Sequence, residues 1–209
     1  MPHDPRFDET REAQSIFRRL LDAIAWPGKI VQLDAGLSEP PEPWSSALAR
    51  VARTLLDAQV TFAVIGPNAD AFTRYVAVNT GARAADPIEC DYLLTNAPFD
   101  ELDVQLLRGG SPSTPEDGAT LIVGCQSVDD AEATSPSTGS LRLWLRGRGV
   151  RGERALDVDE PTVRLLGRVL AREDEYPLGL DVFLVAPSGE IVALPRTTRW
   201  RAEVPAWVT

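Results

Sequence analysis

The residues best suited to bind an anion stand at positions 195–198, Pro-Arg-Thr-Thr, directly after the apolar segment 191–194. A guanidinium and two hydroxyls can donate hydrogen bonds to phosphate, phosphonate or carboxylate oxygens, and a preceding strand would hold them in place. Arg196, Thr197 and Thr198 are therefore candidate binding residues. The alternative is a surface loop that caps a strand, since most charged loop residues are only solvated.

Two further groups of arginines are candidates for the same chemistry. Arg18 and Arg19 stand on the polar side of a predicted helix, where a surface ion pair between Arg18 and Asp22 is the alternative. Residues 142–154 contain five arginines and a single acidic residue, in a chain whose net charge is −10. This segment could bind a partner that bears phosphate, phosphonate or carboxylate groups, or it could form a solvated strand face.

Residues 147–152 of that segment read Gly-Arg-Gly-Val-Arg-Gly and match the G-x-G-x-x-G pattern of dinucleotide-binding proteins. Such a site needs a strand before the pattern and a helix that begins at its last glycine. A strand precedes the pattern here, but residues 153–160 look extended. We therefore interpret the glycines as the turn of a hairpin.

Catalytic and metal-binding side chains are scarce, because His3, Lys29, Cys90 and Cys125 are the only residues of their three types. Zinc fingers, multi-cysteine iron–sulfur clusters and a P-loop are excluded from this chain alone. The positions of His3 in a terminal segment and of Lys29 in a turn argue against a Ser-His-Asp triad and a Schiff base. Both cysteines adjoin apolar runs and are predicted to be buried and unreactive. The sequence predicts no metal, no cofactor and no assignable catalytic residue.

Charge and hydropathy bear on location and partners. The net charge of −10 argues against sequence-independent nucleic-acid binding, which requires a basic surface. No apolar run approaches the roughly 18 residues of a membrane span, and the polar N-terminus has no signal peptide. We expect a cytoplasmic protein that contacts neither nucleic acid nor membrane.

Hydrophobic periodicity predicts a single α/β domain over residues 1–209, with a mixed β-sheet flanked by helices on both faces. Residues 1–9 and 199–209 are expected to be tails, flexible or packed on a partner, and residues 129–140 an exposed hairpin loop. Predicted helices span residues 11–25, 45–56, 68–79, 99–107 and 161–172. Predicted strands span residues 29–33, 60–66, 91–95, 119–125, 141–146, 180–185 and 191–194.

For two of these elements, the sequence also predicts which side is buried. Leu141, Leu143 and Leu145 alternate with polar or aromatic residues and indicate a strand with one buried side. The first helix has apolar residues at i, i+3, i+4 and i+7 spacing, which are predicted to face the core: Ala13, Ile16, Phe17, Leu20, Leu21 and Ile24.

Four segments resemble the PhnH family of phosphonate metabolism proteins, in the order in which that family carries them: residues 17–31, 118–123, 141–156 and 176–198. The most specific parts are Phe-Arg-Arg-Leu-Leu followed by Pro-Gly, and Pro-Leu-Gly with a nearby Asp followed by Pro-Arg-Thr-Thr. The resemblance spans the chain and is weakest in residues 129–139 and after Thr198.

The resemblance implies a fold similar to the pyridoxal-phosphate-dependent transferases, with the cofactor site lost. It implies a homodimer that joins the G, I, J and K subunits of the carbon–phosphorus lyase core complex. It also implies a reaction for that complex, in which a phosphonate such as methylphosphonate displaces adenine from ATP to give a ribose 1-phosphonate 5-triphosphate. The nucleosidase chemistry belongs to the I subunit, and cleavage of the C–P bond belongs to a subunit with an iron–sulfur cluster.

Two functions of different class stay open on these grounds. The first is an essential, non-catalytic assembly subunit with no activity of its own. The second is an anion-binding subunit, in which Arg18, Arg19, Arg196, Thr197 and Thr198 contribute directly to the substrate site. An independent pyridoxal-phosphate enzyme that uses Lys29 is a third and more distant reading.

Overall fold

A computed structural model of the protein describes residues 7–8, 10–34, 36–96, 104–131, 136, 138–172 and 176–202. The helices of this part are α1 (Arg11–Ala25), α2 (Ser46–Leu55), α3 (Ala69–Thr80) and α4 (Glu160–Leu170), with short 3-10 helices at Val104–Leu106 and Pro115–Asp117. The strands are β1 (Val31–Gln32), β2 (Thr61–Ile65), β3 (Arg83–Ala84), β4 (Tyr92–Asn96), β5 (Thr120–Gly124), β6 (Val128–Asp130), β7 (Ser140–Gly147), β8 (Arg154–Asp159), β9 (Asp181–Val185), β10 (Glu190–Leu194) and β11 (Thr198–Ala202).

Seven strands form one mixed sheet, in the order β1-β10-β9-β5-β4-β2-β3. Five of these strands, β3, β2, β4, β5 and β9, pair with their neighbours in parallel. At the other edge, β10 pairs with β9 and β1 pairs with β10, both antiparallel. The central strands are continuous apolar runs because both of their faces are buried. In β5, for example, Leu121 and Val123 face one core and Ile122 faces the other. The prediction of an α/β fold with a mixed sheet is confirmed.

The two faces of this sheet are covered by different layers. Helices α1, α2 and α3 pack on one face, where their apolar residues meet Ile122 and Phe183. The other face is covered by a separate antiparallel sheet of four strands, in the order β11-β7-β8-β6, with α4 packed against β7 and β8. Leu141, Leu143 and Leu145 of β7 point into this core, as their alternation predicts. The sequence analysis placed helices on both faces and missed this second sheet.

Helix ends follow local signals in the sequence. The Ser45 hydroxyl accepts a hydrogen bond of 3.1 Å from the backbone N–H of Leu48 at the start of α2. The Asp159 carboxylate accepts one of 3.0 Å from the N–H of Thr162 at the start of α4. Helix α3 ends at Gly81, whose φ of 73° favours glycine.

Helix α1 buries fewer residues than its periodicity predicts. Ile16 and Leu20 are buried against α2 and β10. The predicted inward residues Phe17, Leu21 and Ile24 are instead 46%, 49% and 41% exposed. The helix thus carries two adjacent apolar stripes, and packing within the chain covers only one of them.

Three predicted boundaries need correction. Residues 199–202, where the sequence predicts a tail, belong to strand β11, in which Trp200 lies opposite Leu145 of β7. The segment after β6 is not a hairpin loop, because β6 and β7 pair with opposite edges of β8. Phe7, in the predicted N-terminal tail, is buried with the Arg53 guanidinium 4.5 Å from its ring centre.

Some predicted features lie outside the described residues. They are most of the 129–140 segment, the tail beyond Ala202, residues 1–6, and most of the predicted helix over 99–107. The described end of that last segment forms the 3-10 helix at Val104–Leu106.

Candidate functional site

Arg196 is bound from several sides by the protein itself. Its Nη2 donates a hydrogen bond of 2.5 Å to Oδ2 of Asp181, and its Nε lies 3.2 Å and 3.3 Å from the two carboxylate oxygens. Its backbone N–H donates to Oδ1 of Asp181 at 2.8 Å, and its Nη1 donates to the carbonyl of Pro115. Both side chains are largely buried, with 14% of Arg196 and 30% of Asp181 exposed. The guanidinium therefore joins the start of β9 to the 3-10 helix at Pro115–Asp117.

Two glycines allow the chain to approach Arg196 closely. A Cβ on Gly118 would lie 2.7 Å from the carbonyl oxygen of Gly179 and 2.9 Å from Nη1 of Arg196. The N–H of Gly179 donates a hydrogen bond of 2.9 Å to the carbonyl of Gly109. Pro115, Gly118, Gly179, Asp181 and Arg196 form what we call the Arg196 junction. It brings together three of the stretches that the sequence analysis singled out, those beginning at residues 118, 176 and 195.

A cavity of about 500 Å³ lies beside the Arg196 junction. Its wall combines apolar residues, among them Leu170 of α4 and Leu178, with Arg196, Thr198 and the exposed Arg199. Thr198 is 4% exposed, and its hydroxyl has no hydrogen-bond partner among the described residues. Because an unpaired buried hydroxyl is unfavourable, the packing of the described residues does not account for this group.

A second junction joins the end of α1 to the turn between β7 and β8. Gly149 has a φ of 81°, and a Cβ there would lie 2.6 Å from Cδ of Pro27 and 2.8 Å from the carbonyl oxygen of Ala25. The guanidinium of Arg151 lies 5.8 Å from the ring centre of Trp26. We call residues 26–29 and 149–154 the Trp26 junction. They line a cavity of about 410 Å³.

The arginine-rich segment is largely paired within the chain. Arg142 and Asp157 form a buried ion pair at 2.9 Å. Arg146 pairs with Glu153 at 3.0 Å, and Arg154 pairs with Asp130 at 2.5 Å. The glycine pattern at 147–152 is the turn of the β7–β8 hairpin, as predicted, and a strand follows it where a dinucleotide site would need a helix. The segment is mainly a paired strand face.

The candidate binding residues do not come together at one site. Arg196 and Thr197 lie between β10 and β11, and Thr198 begins β11, next to the core that contains the second sheet. Arg18 and Arg19 lie on α1, which packs on the opposite face of the seven-stranded sheet.

The ion pairs made by α1 also differ from the surface pair of Arg18 and Asp22 that the sequence analysis considered. Arg19 binds Asp34 at 2.6 Å, and a hydrogen bond from Ser15, together with the charge of Arg19, lowers the pKa of the Asp34 carboxyl. Asp22, considered as a partner of Arg18, instead binds Lys29 at 2.5 Å. Lys29 thus stands in an ion pair at the Trp26 junction.

The described titratable groups include two buried thiols. Cys90 and Cys125 are 0% and 4% exposed. Burial raises the pKa of the Cys90 thiol to about 11, and burial also raises the pKa of Cys125 strongly. Within the described ranges, no three His, Cys, Asp or Glu side chains are grouped so that they could hold a metal ion.

We expect neither thiol to react with an aromatic disulfide reagent at pH 8 while the protein is folded. The thiolate is the reactive form, and both burial and the raised pKa values suppress it. Absorbance of the released thiolate would measure the reaction, with protein unfolded in guanidinium as the control in which both thiols react. Rapid modification of either cysteine in the folded protein would contradict this expectation.

Comparison with known proteins identifies a family whose sequence pattern matches nearly the whole chain. Residues 6–201 match the family described as bacterial phosphonate metabolism protein (PhnH). The chain belongs to the PhnH family. The match covers both junctions and the four described helices, and it includes all four segments from which the sequence analysis inferred a resemblance.

Two relatives are similar over most of their lengths. The alpha-D-ribose 1-methylphosphonate 5-triphosphate synthase subunit PhnH of Rhizobium meliloti (strain 1021) is 29% identical over 201 residues, which are 94% of each chain. HtxG of Stutzerimonas stutzeri, whose name assigns it as a C-P lyase subunit, is 28% identical over 187 residues, which are 88% of this chain and 84% of HtxG.

A structural likeness is much weaker. Ribose 5-phosphate isomerase from Plasmodium falciparum aligns with 72% of this chain and 98% of its own, at 12% identity and a TM-score of 0.26. A score of that size carries no argument about fold or function. In the described part of the chain, no helix has the length and apolar character to cross a bilayer.

The sequence analysis missed two features of these sites. Asp181 was not recognised as the partner of Arg196, although its place after Pro-Leu-Gly was part of the family pattern. The exposed stripe on α1 was assigned to the core, because periodicity alone cannot separate two adjacent apolar stripes on one helix.

Proposed function

We propose that this protein is the H subunit of a carbon–phosphorus lyase core complex and has no catalytic activity of its own. It would support the formation of ribose 1-methylphosphonate 5-triphosphate from ATP and methylphosphonate in the breakdown of organic phosphonates. The observation that carries the proposal is the similarity, over 94% of both chains, to a protein named as a subunit of that synthase.

The geometry supports a structural role for the segments that resemble the family. Arg196 is one of the candidate cations, and its guanidinium already donates hydrogen bonds to Asp181 and to the carbonyl of Pro115. Gly118 and Gly149 make room for close backbone packing. The two thiols are buried, with raised pKa values. These segments stabilise the fold and thereby the surfaces that partners contact.

Further parts of the proposal follow from family membership. The protein is proposed to form a homodimer, to join the G, I, J and K subunits, and to act in the cytoplasm. The transferase chemistry would belong to the assembled complex. A likeness of the fold to the pyridoxal-phosphate-dependent transferases, without their cofactor site, is part of the same proposal.

Co-expression with the G, I, J and K subunits tests this assignment. With an affinity tag on the G subunit, we expect this chain to co-elute in a stable complex through size-exclusion chromatography. The same preparation without this chain is the control for the size of the complex. Failure of the untagged chain to co-elute, while the other subunits assemble, would contradict the proposal.

A second candidate function is supported by the cavity beside the Arg196 junction. An anionic ligand with an apolar body would fit a wall that is both apolar and polar, with Arg199 at an exposed position and Thr198, whose buried hydroxyl has no partner among the described residues. Such a ligand would make this chain part of the substrate site through Thr198 and its neighbours Arg196 and Thr197. Arg18 and Arg19 would take no part in it, because they lie on the opposite face of the sheet.

Calorimetry with ATP and with methylphosphonate separates the two functions. If the cavity binds either compound, Thr198→Val should abolish the binding heat without loss of stability, because the hydroxyl it removes has no partner among the described residues. Thr73→Val on α3 is the matched control. Absence of heat with the wild-type protein, or unchanged heat with Thr198→Val, would remove this candidate.

A further inference from the structure

The outward stripe of α1 is an apolar surface that the fold of this chain leaves exposed. Phe17, Leu21 and Ile24 are spaced by four and then three residues, so they lie in one row along the helix. Trp26, 45% exposed, follows at the C-terminal end of the row. We call these four residues the α1 stripe. Large exposed apolar groups in one row mark an interaction surface more often than a solvated one.

The stripe is separate from the face by which α1 packs on the sheet. At about 100° per residue, its centre is about a quarter of a turn from the row formed by Ile16 and Leu20. Spacing by four and three residues is the pattern that packs against a second helix. The partner that this spacing fits is therefore a helix with apolar residues in a matching row.

Exposed charges beside the stripe are positive. Arg11 and Arg18 are exposed on the outer side of α1, and Arg151 lies over the ring of Trp26. Among the described carboxylates near the stripe, Asp22 pairs with Lys29 and Glu153 pairs with Arg146. Asp8 lies beside Arg11, so Arg18 and Arg151 carry the local positive charge. In a chain of net charge −10, this local positive charge favours a partner with carboxylates around its apolar row.

A second copy of the chain fits this surface less well. In a two-fold symmetric contact the same patch faces itself, so α1 would meet α1. Such a contact would place the same apolar and arginine-bearing surface on both sides, and the carboxylates beside Trp26, Asp22 and Glu153, are already paired. An anionic membrane would attract the arginines but would repel a protein whose net charge is −10.

The Trp26 junction provides an anchor point at the end of the stripe. Its cavity of about 410 Å³ is lined by Trp26, Pro27 and Val150, and its polar lining residues are Lys29, Arg151, Glu153 and Arg154. Ion pairs within the chain engage Lys29, Glu153 and Arg154, so Arg151 is the cation that a partner's carboxylate would meet. One large apolar side chain of a partner helix, followed by an acidic residue, would match this combination. Interfaces commonly concentrate their binding energy in such a central pocket.

We propose that the α1 stripe and the Trp26 junction together bind an amphipathic helix of another subunit of the complex, with acidic residues beside its apolar row. This inference rests on the proposed function, and it names the surface through which the chain would bind the other subunits. The interface would extend beyond the four stripe residues onto the β7–β8 turn, because a stable interface buries about 800 Å² on each partner.

Replacing apolar stripe residues tests the proposal directly. The double variant Phe17→Ser, Leu21→Ser is expected to weaken binding to an assembled complex of the G, I, J and K subunits by about 30-fold or more, as measured by biolayer interferometry. The control is Leu37→Ser, Val78→Ser, which removes two apolar residues that are 65% and 47% exposed elsewhere. It should bind like the wild type, and circular dichroism should show both variants folded.

Charge reversal tests the chemistry of the partner. Arg18→Glu with Arg151→Glu should weaken the same binding, and the loss should shrink as salt concentration rises. Arg74→Glu with Arg83→Glu, at exposed positions on α3 and β3, is the matched control and should have little effect.

The possible outcomes distinguish a failure of this inference from a failure of the proposed function. If the wild type assembles and the Phe17/Leu21 variant assembles equally well, the stripe is not the binding surface and the proposed function stands. If the wild type does not bind the other subunits, both are overturned. If the variant disrupts only self-association, or only binding to phosphatidylglycerol vesicles, then a second copy or a membrane is the occupant and the inference is wrong.

Discussion

Replacing Arg196 with alanine is expected to lower the free energy of unfolding by about 3 kcal/mol. The substitution leaves the Asp181 carboxylate without its charged partner and the carbonyl of Pro115 without its donor. Both groups are then more costly to keep in the folded chain than in water, because a largely buried charge needs a partner. Chemical denaturation of the purified chain, followed by circular dichroism, measures the change.

Arg164→Ala provides the control for removing an arginine from an ion pair. Arg164 binds Glu160 at 2.6 Å on α4, but its side chain is 64% exposed, against 14% for Arg196. Its removal should cost no more than about 0.5 kcal/mol, since exposed pairs contribute little. Equal small losses for both variants would show that the Arg196 junction is not a main stabilising contact.

Gly149→Ala is expected to destabilise the protein by about 3 kcal/mol, and Gly152→Ala by only about 1 kcal/mol. Both glycines lie in the β7–β8 turn with positive φ angles, 81° and 73°. Both substitutions therefore share the backbone cost of a left-handed residue. Only at Gly149 does the new Cβ also collide with Pro27 and with the carbonyl of Ala25.

The difference between the two glycine variants isolates the close contact at the Trp26 junction. Thermal unfolding of both variants under identical conditions provides the comparison. A Gly152→Ala variant as unstable as Gly149→Ala would mean that backbone conformation accounts for the whole effect. In that case, the end of α1 would not be fixed by its contact with the turn.

These two junctions explain why segments far apart in the sequence identify the family. Gly118, Gly179 and Arg196 are each unremarkable alone, yet a Cβ on the first would contact the other two. Gly149 has the same relation to Pro27, across more than a hundred residues of chain. Such contacts constrain residue type without requiring chemistry at those positions. The guanidinium of Arg196 already binds Asp181 and Pro115, and these contacts need no anion.

The sequence predicted the elements whose signals are local. The helices predicted over 45–56 and 68–79 and the strands predicted over 180–185 and 191–194 depend mainly on neighbouring residues, and all four were confirmed. The alternation of leucines in β7 likewise identified its buried side.

Features that depend on distant pairing were not predictable in the same way. The buried side of β7 does not reveal that β7 pairs with β8 and β11 in a separate sheet. The periodicity of α1 does not reveal which of two apolar stripes the core will cover. The pairing of Asp181 with Arg196 depends on the antiparallel register of β9 and β10, in which Val182 lies opposite Leu194.

Adenine release from ATP in the presence of methylphosphonate is the measurement that tests the proposed role most directly. We predict that the purified chain releases no adenine, and that the complex of the G, I, J and K subunits with this chain forms the ribose 1-methylphosphonate 5-triphosphate product. Omitting this chain should reduce product formation by that complex. Release of adenine by the purified chain alone would contradict a non-catalytic role, and undiminished product formation without it would contradict an essential one.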